Sequence, residues 1–125
     1  MELTPAPPET APGGRQLIER YGAAGFRVSG VVYAGPVLVF PERTILWLAA
    51  APTLDGLAEI VADGGVELIL LGLGRRGAPV AAALRGALKA HGIGIEAMDT
   101  GAACRTFNVL LAEDRRVAAA LLPPI

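Results

Sequence analysis

The sequence predicts a three-layer α/β domain whose mixed sheet joins an N-terminal antiparallel β meander to a C-terminal parallel βαβαβ half. Three observations carry that expectation. Residues 16–50 hold short apolar runs punctuated by Gly and Pro, the pattern of paired antiparallel strands. From residue 53 the rhythm changes to helix-period segments alternating with continuously apolar runs, which means a parallel sheet covered on both faces. The length, 125 residues, is that of one domain able to bury roughly two-thirds of its unfolded surface.

The elements follow in order. Residues 1–14 are expected to be a disordered tail, because Pro5, Pro7, Pro8 and Pro12 forbid regular pairing and little there can be buried; the domain is expected over 15–125. Phe26-Arg27-Val28-Ser29-Gly30 alternates as a half-buried strand does, and Val31-Val32-Tyr33 follows it. Ala34-Gly35-Pro36 turns the chain into Val37-Leu38-Val39-Phe40, and Glu42-Arg43-Thr44 turns it again into Ile45-Leu46-Trp47-Leu48. Thr53 is placed to cap a helix with Leu54, Leu57, Ile60 and Val61 on one face, stopped by Asp63-Gly64-Gly65. Strands are expected at 67–71, 93–98 and 117–122, brought together by right-handed crossovers. Between them, Pro79 suits the first turn of a helix carrying Val80, Leu84 and Leu88 and ended by Gly92. Asp99 or Thr100 caps a third helix whose apolar face is Ala103, Phe107, Leu110 and Leu111.

Composition removes several function classes. Hydrophobic residues make up 53% and charged residues 18%, so the chain is core-rich. The 11 basic and 12 acidic residues give a net charge of −1, which offers no concentrated basic face for nucleic acid, and with aromatics at 5% little remains for base stacking. One cysteine, Cys104, excludes an internal disulfide and points to a reducing, cytoplasmic compartment. The first fifteen residues lack both the basic start and apolar run of a secretory signal and the Arg-rich character of a transit peptide. No window approaches the roughly 18 uninterrupted apolar residues of a membrane span.

Two stretches carry candidate chemistry. Gly72-Leu73-Gly74-Arg75-Arg76-Gly77 spells a G-x-G-x-x-G pattern between a strand and a helix, the context in which glycines let backbone approach a phosphate. Against a dinucleotide site, Glu96 lies inside the next strand instead of ending it, and Pro79 starts the helix beyond the third glycine. A tight turn is the simpler reading, with a small anion or phosphate beside Arg75 and Arg76 as the alternative. The second stretch, from Asp99 through Thr100, Cys104 and Arg105 to Asn108, begins at the carboxyl end of a parallel strand, where open α/β sheets bind ligands. If the two strands are neighbours, residues 72–77 and 99–105 flank one crevice. Its candidate residues are Gly72, Gly74, Arg75, Arg76, Asp99, Thr100, Cys104, Arg105 and Asn108.

Each has a plain reading too. Asp99 and Thr100 suit helix caps. Cys104, in a first helical turn beside Arg105, has features that lower a thiol pKa, yet the single histidine, His91, ends the preceding helix, so no Cys–His pair is expected and a packing role is favoured. No catalytic set, metal cluster or cofactor is expected, since one His and one Cys make no zinc site. Glu113-Asp114-Arg115-Arg116 reads as a solvated turn, Trp47 as core, and Tyr33 as core or an interface anchor.

Tyr21-Gly-Ala-Ala-Gly-Phe26-Arg-Val-Ser-Gly30, Leu70-Leu-Gly-Leu-Gly74 and Met98-Asp-Thr-Gly-Ala-Ala-Cys-Arg-Thr-Phe-Asn108-Val-Leu-Leu-Ala-Glu113, followed by Arg115-Arg116-Val117-Ala118-Ala119-Ala120-Leu121, together resemble the Mth-type domain family of unknown function. The likeness spans about residues 15–123 and looks like that of a bacterial member. The resemblance implies a compact three-layer α/β fold, and no established enzymatic activity. The family includes a mitochondrial factor for respiratory complex I assembly, and an adipogenesis-associated protein. By analogy the chain is expected to be a binding or assembly-type protein with a protein partner. A small-molecule or nucleotide-phosphate-binding domain using the crevice is the alternative, and the oligomeric state is left open.

Overall fold

The computed structural model describes residues 14–125, so the expected tail, apart from Gly14, lies outside the described residues. The parallel half forms β6 (Leu68–Leu73), β7 (Gly94–Met98) and β8 (Val117–Leu122). β6 lies in the middle of the three, with Leu70 opposite Glu96 on one side and Ala119 on the other. The last strand of the chain is therefore an interior strand. On its far side it pairs antiparallel with β4 (Val37–Val39), which forms a hairpin with β5 (Thr44–Leu46), giving the order β5-β4-β8-β6-β7.

The N-terminal β region differs from a single meander. β1 (Ile18–Gly22), β2 (Gly25–Val28) and β3 (Val31–Tyr33) make a separate three-stranded sheet. The division falls at Gly35-Pro36: Gly35 has φ 120°, open to few other residues, and proline cannot donate to a ladder. β1 itself is absent from the sequence pattern because a bulge between Ile18 and Arg20 breaks its alternation and leaves Glu19, Arg20 and Tyr21 all exposed.

Alternation along the strands divides the interior between two faces of the large sheet. Ala118 and Ala120 of β8, with Ile69 and Leu71 of β6, join Leu57, Ile60, Leu84 and Leu88 from α1 (Ala58–Asp63) and α2 (Ala82–Lys89). Val117, Ala119 and Leu121, with Leu70, join Ala103, Phe107 and Leu111 from α3 (Thr100–Ala112) and Ile18, Phe26 and Val28 from the small sheet. The layers are thus α1 with α2, then the five-stranded sheet, then α3 with the three-stranded sheet. The run of alanines at the centre of β8 lets layers on both faces approach closely.

Two helix starts lie later than their sequence signals. Thr53 Oγ1 accepts from Gly56 N at 3.0 Å, so it caps a turn, and α1 begins only at Ala58. Pro79 precedes α2, whose N-cap is Ala81. Trp47 is buried and its indole donates to Gly56 O at 2.8 Å, while Tyr33 is half-buried and its hydroxyl bonds Thr44 O at 3.5 Å, joining the two sheets. Among the described residues no helix is long and apolar enough to cross a membrane.

Candidate functional site

Because β6 and β7 are parallel neighbours, the loops that follow them leave the same edge of the sheet side by side. They meet directly. A Cβ on Gly77, which has φ 72°, would lie 2.8 Å from the Met98 carbonyl carbon. One on Gly72 would lie 2.7 Å from Leu121 Cδ2 and 3.1 Å from Thr100 Cα. Thr100 fills what remains: its N–H donates to Gly74 O at 2.8 Å, and its hydroxyl accepts from Gly74 N at 2.9 Å while donating to Leu122 O at 2.6 Å. The side chain is wholly buried. The Gly74 N–H that a phosphate would need is therefore already given to Thr100.

The other candidates are distributed around this seam and do not converge on one point. Arg75 and Arg76 are exposed on its outer side, bordering with Gly74, Leu122 and Pro123 an open groove of about 660 Å³. Neither forms an ion pair among the described residues. Asp99 caps α3, accepting from Ala102 N at 2.9 Å. Cys104 points into the core, and burial pushes its thiol up to about 12; neighbouring Arg105 opposes the shift and Asp99 adds to it. His91 is exposed in the turn after α2. Among the described residues no three His, Cys, Asp or Glu side chains converge to hold a metal ion. The turn at 113–116 is exposed and laced by ion pairs from Asp114 to Arg15 and from Arg116 to Glu67.

The rest of the 99–108 run binds the small sheet. The Asn108 side chain meets the backbone of Ile18 twice, Oδ1 accepting from N at 3.0 Å and Nδ2 donating to O at 2.9 Å, as a neighbouring strand would. Arg105 Nη1 donates to the Tyr21 hydroxyl at 3.4 Å. Gly101 admits that hydroxyl, since a Cβ there would lie 2.7 Å from it. Tyr21, Gly101 and Ile18 are thus partners that the sequence patterns passed over. The available signal was spacing: 101, 105 and 108 fall on one helical face.

A family model described as a protein of unknown function (DUF498/DUF598) matches residues 18–122. An uncharacterized protein of Rhodobacter capsulatus is 40% identical over 119 residues, 94% of this chain and 93% of that protein. NADH dehydrogenase (ubiquinone) 1 alpha subcomplex assembly factor 3 of Danio rerio is 33% identical over 86% of this chain and 64% of its own length. The human factor of the same name is 31% identical over 86% of this chain and 60% of its own length. The chain therefore spans less than two thirds of these assembly factors. A Bartonella henselae structure described as an outer membrane protein superposes with TM-score 0.81 at 35% identity, covering 91% of this chain and 99% of that one. A Bordetella pertussis Mth938-like domain gives TM-score 0.72 at 31% identity, covering 98% and 92%.

Two outcomes follow from the seam. Thr100→Val leaves Gly74 N and Leu122 O without their protein partner in a partly buried site and is expected to lose about 1–2 kcal/mol in urea unfolding, most of it recovered by Thr100→Ser. Equal stability of the valine variant would show that the hydroxyl does not hold the strand ends. Cys104 is expected to resist thiol-reactive reagents in the folded protein at pH 7.5, because the thiol is buried and held protonated by that burial, and to react at once in denaturant. Prompt labelling of the native chain at pH 7.5 would contradict the buried, protonated thiol.

Proposed function

The chain belongs to this family of unknown function (DUF498/DUF598), and we propose that it is a non-enzymatic assembly-type protein that aids building of a respiratory complex through protein–protein contacts. The observation that carries this reading is likeness over 86% of the chain to proteins named as complex I assembly factors, at 31–33% identity in the human and zebrafish forms. Local chemistry supports it. Three polar side chains of the expected crevice are engaged within the fold, Asp99 with Ala102 N, Thr100 with two strand ends and Asn108 with β1. The lone cysteine fits a cytoplasmic setting, where thiols stay reduced.

A second reading keeps a small anion or phosphate, favoured by Arg75 and Arg76 standing beside Gly74 at the outer groove without an ion-pair partner among the described residues. It moves the ligand from the seam between the loops to the solvent side of the first loop.

The two readings separate experimentally. Deleting the gene in its host is expected to make subassemblies of the NADH dehydrogenase complex accumulate on native gels while the complete complex falls, with recovery from a plasmid copy. An unchanged level of complete complex would refute the assembly role. For the anion reading, a ligand at about 100 times its Kd adds roughly 2.7 kcal/mol of stability. A thermal-shift panel of phosphate and nucleotides is therefore expected to be silent under the first reading. A clear stabilisation abolished by Arg76→Glu would favour the second.

A further inference from the structure

The three-stranded sheet turns one face toward α3 and the other to solvent, and the solvent face carries a local conflict of charge. Register sets Arg20 opposite Arg27 and Arg27 opposite Val32, so one row across the sheet reads Arg-Arg-Val. Like charges directly opposed on adjacent strands are destabilising. Glu19 answers one of them, its carboxylate lying 3.4 Å from Arg27 Nε and also accepting from Gly30 N at 2.7 Å. Arg20 has no ion-pair partner among the described residues.

Next to this row lies a hollow of about 400 Å³, mainly apolar, lined by Tyr21, Ala24, Phe26 and Val32 among others. Gly22 and Gly25, paired across the hairpin, add no side chains to fill it, and a Cβ on Gly22 would meet nothing within 4 Å. Two guanidiniums, Arg20 and Arg27, therefore line a cavity of side-chain size, with one carboxylate, Glu19, beside Arg27, on a chain whose overall charge is −1.

We propose that this face receives an acidic segment of a partner protein, one bulky apolar side chain entering the hollow while its flanking carboxylates pair with Arg20 and Arg27. The inference rests on the protein-contact reading above and specifies the chemistry of the contacted surface. Arginine forks match carboxylates bidentately, and an anchor side chain in a desolvated pocket is where binding energy concentrates. Acidic groups would also relieve the Arg20–Arg27 repulsion. A second copy docking the same face about a two-fold axis would set arginines against arginines, which disfavours self-association there.

The test uses the full chain and a fluorescent peptide of glutamates around one central leucine, read by anisotropy. Binding is expected to weaken with salt, to weaken at least roughly tenfold in Arg20→Glu, and to weaken as much in Gly22→Leu, which fills the hollow without touching a charge. Lys89→Glu, exposed at the end of α2 in the layer on the opposite face of the large sheet, is expected to bind as the wild type does, and melting temperatures show that each variant is folded. If Arg20→Glu fails to fold, Gly22→Leu decides alone. The proposal is overturned if the wild type does not bind, if both variants bind normally, or if a peptide with serine in place of leucine binds equally well. Equal, Arg20-dependent binding to phosphatidylglycerol vesicles would reassign the face to lipid, and a dimer dispersed by Gly22→Leu would reassign it to a second copy; either overturns the proposal. Returning Arg20→Glu to the deletion strain separates the two ideas. Full recovery of the complex would remove this surface and leave the assembly role, whereas a deletion without any defect would remove the assembly role itself.

Discussion

The hydroxyl of Thr100 sits where three parts of the chain end or begin. β6 and β8 finish at the same edge, leaving partly buried backbone groups of Gly74 and Leu122 to be satisfied. Thr100 satisfies both from the first residue of α3, one step after Asp99 has capped that helix. Its backbone N–H adds a third tie to Gly74. The start of α3 is thereby fixed against the sheet. From that point the helix lays Ala103, Phe107 and Leu111 over Leu70, Ala119 and Leu121. The small sheet depends on the same placement, since Gly101, Arg105 and Asn108 receive β1 only if α3 lies at this angle and depth.

This arrangement explains why the seam between the two loops is closed at Gly72 and Gly74. A phosphate cradle needs unpaired N–H groups and room for an anion. Here the N–H of Gly74 is engaged, and Gly72 has less space beside it than a methyl group requires. The glycines serve close approach of chain to chain. Cys104 follows the same logic: a helix start and an adjacent arginine favour a thiolate, but burial outweighs both and leaves the thiol neutral. Groups free to meet another molecule lie elsewhere, on the outer face of the small sheet and on the loop bearing Arg75 and Arg76.

The parallel half was legible because its strands are continuously apolar, a pattern set locally by burial on both faces; β8 was read at its observed limits. The helix cap at Asp99 was legible for the same reason, as capping involves residues close in sequence. The split of the N-terminal strands was not. Val39 pairs with Ala119, far along the chain, and nothing in the residues near 37–39 says whether their partner is the preceding strand or the last one. β1 was hidden by its bulge and by three successive exposed residues. The same distance limit governs the site. The 99–108 run stood out for its composition, but its main work is a joint with Ile18, which the chain places 90 residues away from Asn108. Thr53 misled because a threonine hydroxyl caps a turn as readily as a helix.

β1 shows how the internal joint and an exposed face belong to one design. An edge strand with three exposed residues and one strand neighbour gains little from burial and would fray on its own. Asn108 supplies the hydrogen bonds of a missing neighbour at Ile18, and Tyr21 is held over Gly101 by Arg105. These contacts act at the α3 side of the strand. They leave Arg20 and the glycine hairpin on the solvent side fixed in position yet uncovered. A face held rigid before binding loses less conformational entropy when a partner arrives. The physical value of the 99–108 run is therefore that it stiffens, from beneath, a strand whose other side is open to solvent.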